Sequence, residues 1–206
     1  MANRINLAGL KNVNLKGQGG GEKKLLNIFQ ISKGWRRTSN SLYDFENSIS
    51  HQKVEIKKQK NQQWIDPSKY SNLTDTQKKI LMIFLQIDDD GDVEAAHAVS
   101  TENLVDRLWD SDTMEAAHKL KQVCPQVQVK YPIMVKKFFS THTDISKTVY
   151  KKGSSYVAGD TVYDTLQEET VKIVSIHAET MPTLYTVVDI CDNEYILSED
   201  DIKEFE

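Results

Sequence analysis

Asp88, Asp90 and Asp92 are the residues of this 206-residue chain whose type and spacing are best suited to chemistry. In the run Asp88-Asp89-Asp90-Gly91-Asp92, alternate carboxylates bring three hard oxygen donors round one loop, the donor type that Ca²⁺ takes. The other reactive residue types do not group in this way. His51, His97, His118, His142 and His177 are scattered. His118 and Cys124 are close enough to share a zinc ion, but four ligands at zinc spacing are absent. Nucleophile-elbow, phosphate-loop, HExxH and dinucleotide fingerprints are also missing. The expectation is a chain that is not an enzyme and has no cofactor, with Ca²⁺ at Asp88, Asp90 and Asp92 as the alternative.

The elements that would position this loop are read as helices. Thr74 is suited to cap a helix that opens at Asp75, whose charge favours the positive end of the helix dipole. Ile80, Leu81, Ile83, Phe84 and Ile87 then make a broad apolar face. A second helix starts at Ser100 or Thr101 and buries Leu104, Val105 and Leu108. A third runs from about Asp112 until Pro125 ends it. The stretch LTDTQKKILMIFLQIDDDGD followed by VSTENLVDRLW resembles a degenerate EF-hand over residues 73–109. In the register that begins at Asp88, Val93 stands where that loop has glycine, and no glutamate closes it.

Charge divides the chain in three. Residues 1–72 carry 13 Lys/Arg against 5 Asp/Glu, a balance of +8. Residues 73–150 carry 9 against 12 (−3), and residues 151–206 carry 4 against 13 (−9). The basic segment mixes cations with Trp35, Arg36, Arg37, Tyr43, Phe45 and Trp64, a combination suited to anchoring in a partner or to phosphate contact and stacking. It is too polar to fold alone and is read as an extended arm. No run of about 18 apolar residues is present to cross a bilayer. The polar, Gly-rich start lacks a signal-peptide core, so the expected location is intracellular (cytoplasm, cytoskeleton or virion) and not secreted.

After residue 151 the pattern changes to period two. Thr161–Tyr163, Thr170–His177, Thr183–Ile190 and Glu194–Leu197 read as strands, and Glu199–Phe205 as a last helical turn. Gly159-Asp160, Val174-Ser175-Ile176, Tyr185-Thr186-Val187 and Glu199–Ile202 resemble an SH3-like barrel of the Tudor/KOW type, over about a quarter of the chain. The resemblance implies a small closed barrel that binds peptides, methylated side chains, RNA or other subunits, with Tyr163, Tyr185 and Tyr195 as surface candidates.

The expected fold class is α+β: a helical core domain (73–150) between an extended basic N-terminal arm (1–72) and an acidic SH3-like β-barrel (151–206). The expected function is that of a structural or adaptor protein of a larger assembly, a viral particle or a cytoskeletal or ciliary lattice, whose partners are protein subunits. A nucleic-acid-associated protein with its arm on phosphates, or a Ca²⁺-responsive adaptor, are the alternatives.

Overall fold

The structure, a computed structural model, describes residues 7–16, 21–30, 34–60, 62–127, 129–177 and 180–205. In chain order, helix α1 (Gly21–Gln30) leads into strands β1 (Trp35–Arg37), β2 (Phe45–Asn47), β3 (Lys53–Gln59) and β4 (Gln62–Ile65). A 3₁₀ turn (Pro67–Lys69) and short helix α2 (Asp75–Lys78) precede β5 (Leu81–Ile87) and β6 (Val93–Ser100). Helices α3 (Thr101–Leu108) and α4 (Ser111–Val123) follow, then β7 (Tyr131–Met134), α5 (Val135–Thr141) and β8 (Ser146–Lys151). The remainder is β9 (Thr161–Asp164), β10 (Glu169–His177), β11 (Leu184–Val188), β12 (Glu194–Ser198) and β13 (Ile202–Glu204).

The architecture corrects the expected fold class. Strand accounts for 38% and helix for 26%, in three sheets, and the described residues form no helical core domain. The body is a mixed six-stranded sheet of order β1-β2-β3-β5-β6-β8. Its first three strands form an antiparallel meander, and β5 returns parallel to β3 through the crossover that contains β4 and α2. The basic segment is therefore no extended arm, because residues 35–59 supply half of this sheet. Its apolar residues are too sparse to make a core by themselves. Leu10, Leu15, Leu25, Trp35, Phe45 and Val54 are buried because Ile83, Leu85, Ala96 and Ala98, far along the chain, complete their cluster.

The long helix expected after Thr74 is also absent. The capping box forms, with Thr74 and Gln77 bonding each other's backbone amides, but helix α2 ends after one turn. Leu-Met-Ile-Phe-Leu-Gln-Ile is instead a central strand buried on both faces, which reads as a continuous apolar run rather than an alternating one. Ile83 and Leu85 enter one core. Met82 and Phe84 enter the other, with Val99, Leu104, Val105, Phe138 and Phe139. Helices α3 to α5 and the β4–β7 ribbon cover this second face.

Asp88–Asp92 is the tight turn joining β5 to β6. Strands flank it on both sides, so the helix–loop–helix of an EF-hand is not formed. Gly91 adopts φ +91°, and a Cβ there would lie 2.6 Å from the backbone nitrogen of Lys16, so no larger residue fits.

His97 on β6 lies in the second core, 9% exposed, its ring stacked on Phe139 at 4.6 Å. Nδ1 bonds Thr148 Oγ1 at 3.1 Å. Burial pulls its pKa down to about 4. The folded ring stays neutral where the unfolded ring, titrating near 6.5, takes up a proton. Its contribution to stability is therefore complete above about pH 6.5 and is lost as pH falls towards 4, by about 3 kcal/mol. His97→Phe is expected to lose less stability than wild type over that window, read as urea midpoints at pH 7 and pH 4. Identical losses would refute the assignment.

The C-terminal sheet has the order β12-β11-β10-β9-β13, all antiparallel. Its core holds Val162, Val171, Ile173, Ile176, Tyr185, Val187, Leu197 and Ile202. A 3₁₀ turn (Glu199–Asp201) and β13 stand where a last helical turn was expected. No helix among the described residues is long and apolar enough to cross a membrane.

Candidate active site

Strand alternation sorts the first three strands into two faces. Trp35, Phe45 and Val54 point into the first core. Arg36, Glu46, Lys53, Glu55 and Lys57 share the other face, as the pairings Arg36↔Glu46 and Glu46↔Lys53 require. Glu55 stands beside Met82, and Lys57 beside Phe84. The sheet face covered by helices thus ends at β5, and a charged half continues across β3, β2 and β1.

The buried group on this charged half is Glu55, 7% exposed. Lys57, two residues on along the same face, donates its ammonium to Glu55 Oε1. Asp44, just ahead of β2, stands next to Glu55 across the β2–β3 pairing, near enough for its charge to act on the Glu55 carboxyl. The backbone fixes Asp44. Its amide donates to the Val54 carbonyl at 2.9 Å, and its Oδ2 accepts from the Ile56 amide at 2.8 Å. Burial pushes the Glu55 carboxyl up to about 7, against the pull of Lys57 and with the help of the Asp44 charge. The Tyr70 hydroxyl is buried near the same acids. Burial, then the charges of Glu55, Asp66 and Asp44, raise its pKa. Two carboxyl groups held this close share one proton, one ammonium or one divalent cation.

Lys57 also lines a cavity of about 370 Å³, together with Trp64, Ile65, Asp66, Lys69, Tyr70, Lys121 and Lys130. Four separate segments supply its lysines: β3, the 3₁₀ turn, α4 and the approach to β7. Asp66 caps the 3₁₀ turn by accepting from the Ser68 amide at 3.0 Å and pairs with Lys121. Burial opposes its ionisation, but the bonds from Lys121 and Ser68 hold its carboxylate below the usual range. Trp64, on β4 opposite Pro132, is 52% exposed at the cavity.

The residues singled out from sequence divide differently. Trp35 and Phe45 are core residues and present no surface to a partner. Arg36 pairs with Glu46 at 3.3 Å on the charged half, and Lys53 sits 5.3 Å over the Tyr43 ring. Arg37 is exposed, and Trp64 belongs to the lysine cavity. Of the tyrosines on the C-terminal sheet, Tyr185 is fully buried and packs edge-on to Tyr156 at 5.9 Å. Tyr195 donates to Asp164 at 2.8 Å, and Tyr163 is half-buried on β9. The three form no open aromatic cage.

The carboxylates of Asp88 and Asp92 are engaged within their own turn and by its neighbours. Asp88 Oδ1 accepts from the amides of Asp90 (3.0 Å) and Asp92 (2.9 Å). Asn14 Nδ2 donates to Asp92, and Lys152 reaches the carboxylates of both Asp88 and Asp92. Among the described residues no group of three or more His, Cys, Asp and Glu side chains is placed to hold a metal ion. The Asp44–Glu55 pair offers two carboxyl groups, with the remaining positions of a hard cation left to water or substrate oxygens.

Sequence reading passed over Asp44, Glu55 and Lys57. The signal was present in Val54-Glu55-Ile56-Lys57, an alternating strand whose polar positions are an acid and a lysine two apart. Asp44, eleven residues earlier, joins them only through the β2–β3 pairing. No known protein-family profile matches the chain, and no curated protein matches it.

Proposed function

We propose that the chain is a divalent-cation-dependent hydrolase of phosphodiester bonds in nucleic acid. The observation that carries this reading is the convergence of Asp44, Glu55 and Lys57 on one sheet face, with Lys57 shared by a lysine-lined cavity. Asp44 and Glu55 are the pair that would hold a Mg²⁺- or Mn²⁺-class ion, whose bound form supplies Lewis acidity at a phosphate oxygen and a water of lowered pKa. Lys57 then exchanges its contact with Glu55 for the scissile phosphate and offsets the charge that builds there. The water oxygen forms the new P–O bond, and the ester P–O bond to the departing sugar oxygen breaks. The departing oxygen gains a proton and the attacking water loses one, so hydrolysis consumes one water overall. Tyr70 and Phe84 keep the floor of the site dry.

Incubating the full chain with supercoiled plasmid, single-stranded DNA and RNA tests this. Strand scission is expected with Mg²⁺ or Mn²⁺ and none with EDTA. Intact substrates with every divalent ion would overturn the proposal.

A second reading, a non-catalytic adaptor, is favoured by the C-terminal sheet. Its surface exposes Leu166, Ile190, Ile196 and Phe205 within a segment of charge −9. Recovery of stoichiometric protein neighbours from the native source, with no scission, is the result that selects it.

A further inference from the structure

We infer that the lysine cavity takes an unpaired nucleic-acid strand, one nucleotide deep, beside the Asp44–Glu55 pair. This rests on the hydrolytic reading for the fate of the strand, and on the cavity alone for its binding. Of the four cavity lysines, Lys57 is matched by Glu55 and Lys121 by Asp66. Lys69 and Lys130 are exposed and have no ion-pair partner among the described residues. The cavity therefore holds an uncompensated positive charge, the electrostatic requirement for phosphate.

Size and shape select the strand. A volume of about 370 Å³ lies at the low end of cavities that hold small ligands. It is bounded on separate sides by β3, the 3₁₀ turn, α4 and the β4–β7 ribbon, and a double helix does not enter such a space. One unpaired nucleotide does, with its phosphate among the lysines. The half-exposed indole of Trp64 offers a base the flat apolar surface that stacking needs. Since Lys57 belongs to both places, a phosphate in the cavity brings its neighbour along the strand to Asp44 and Glu55.

Binding is read by fluorescence anisotropy with labelled oligo(dT) and a duplex of the same length, in EDTA so that no scission intervenes. Oligo(dT) is expected to bind more tightly than the duplex. The double variant Lys69→Ala/Lys130→Ala is expected to weaken it about tenfold and to lower the salt slope by roughly 1.4. Trp64→Ala is expected to weaken it about fivefold or more. Both variants keep the wild-type thermal midpoint within a few degrees, since these side chains are exposed. Equal affinity for duplex and single strand, or variants that bind as wild type does, would overturn the inference. Strand binding that depends on Lys69, Lys130 and Trp64, with no scission under Mn²⁺, upholds it while removing the hydrolytic reading. Duplex scission without single-strand binding does the reverse.

Discussion

Glu55→Gln is expected to abolish the proposed divalent-dependent scission and, in metal-free buffer at pH 8, to leave the protein more stable than wild type. The first effect follows from removing one of the two carboxyl groups that would hold the proposed cation. Loss of a partner that merely supports a ligand lowers affinity or activity 10- to 100-fold, so loss of Glu55 itself is expected to exceed about a hundredfold. Asp44→Asn should match it. The second effect follows from linkage. Glu55 is protonated in the folded state up to about pH 7, whereas the unfolded carboxyl ionises near its ordinary 4.5. Between those values the folded state binds the extra proton, so stability falls as pH rises from 4.5 to 7. Above pH 7 the wild-type protein carries a penalty on the order of 3 kcal/mol, which a neutral amide of the same shape avoids. The loss of the Glu55–Lys57 contact offsets part of this gain, leaving about 1–2 kcal/mol. Urea unfolding of both proteins in EDTA at pH 5 and pH 8 measures it. Parallel stability curves would show that Glu55 is not a strained acid, and full scission by the variant would remove it from the site.

Phe84→Ala is expected to be the most destabilising single truncation near the site. Phe84 has no exposed surface and lies 5.1 Å from Phe139. It is paired across the sheet with His97 and flanked by Lys57 on β3. Truncation removes a whole ring from the second core and leaves a cavity that a sheet interior cannot collapse, at about 3–5 kcal/mol. Against the 5–15 kcal/mol of an ordinary domain, that lowers the urea midpoint severely. Phe84→Leu, which keeps most of the volume, should cost under about 2 kcal/mol. A Phe84→Ala midpoint close to wild type would mean that α5 and the sheet do not pack as described.

Local features were the legible ones. The Ser100 cap acts as its sequence suggests, accepting from an amide three residues on. The period-two segments read at Thr161–Tyr163, Thr170–His177, Thr183–Ile190 and Glu194–Leu197 form strands at 161–164, 169–177, 184–188 and 194–198. The misreading arose where partners are distant in sequence. Leu81–Ile87 is apolar on every side because it is sandwiched between two cores, and a short run of that kind carries no period to separate helix from strand. Residues 35–59 looked too polar to fold because the apolar surface that completes them lies more than 25 positions away in β5. The candidate site was hidden for the same reason. Asp44, Glu55 and Lys57 become one group through a hairpin and a parallel strand, whereas the dense aspartates at 88–92, conspicuous in sequence, serve a turn.

The parallel pairing of β3 with β5 also sets an order of events during synthesis. A ribosome releases β1, β2 and β3 well before residues 81–87 exist, and a parallel neighbour cannot form until the whole crossover has emerged. For that interval β3 is an open sheet edge, the kind of surface that recruits a second nascent chain. Lys53, Lys57, Lys58 and Lys60 along and just past β3 repel such a copy. The lysine assigned to the proposed site would thus also protect the unfinished chain from aggregation.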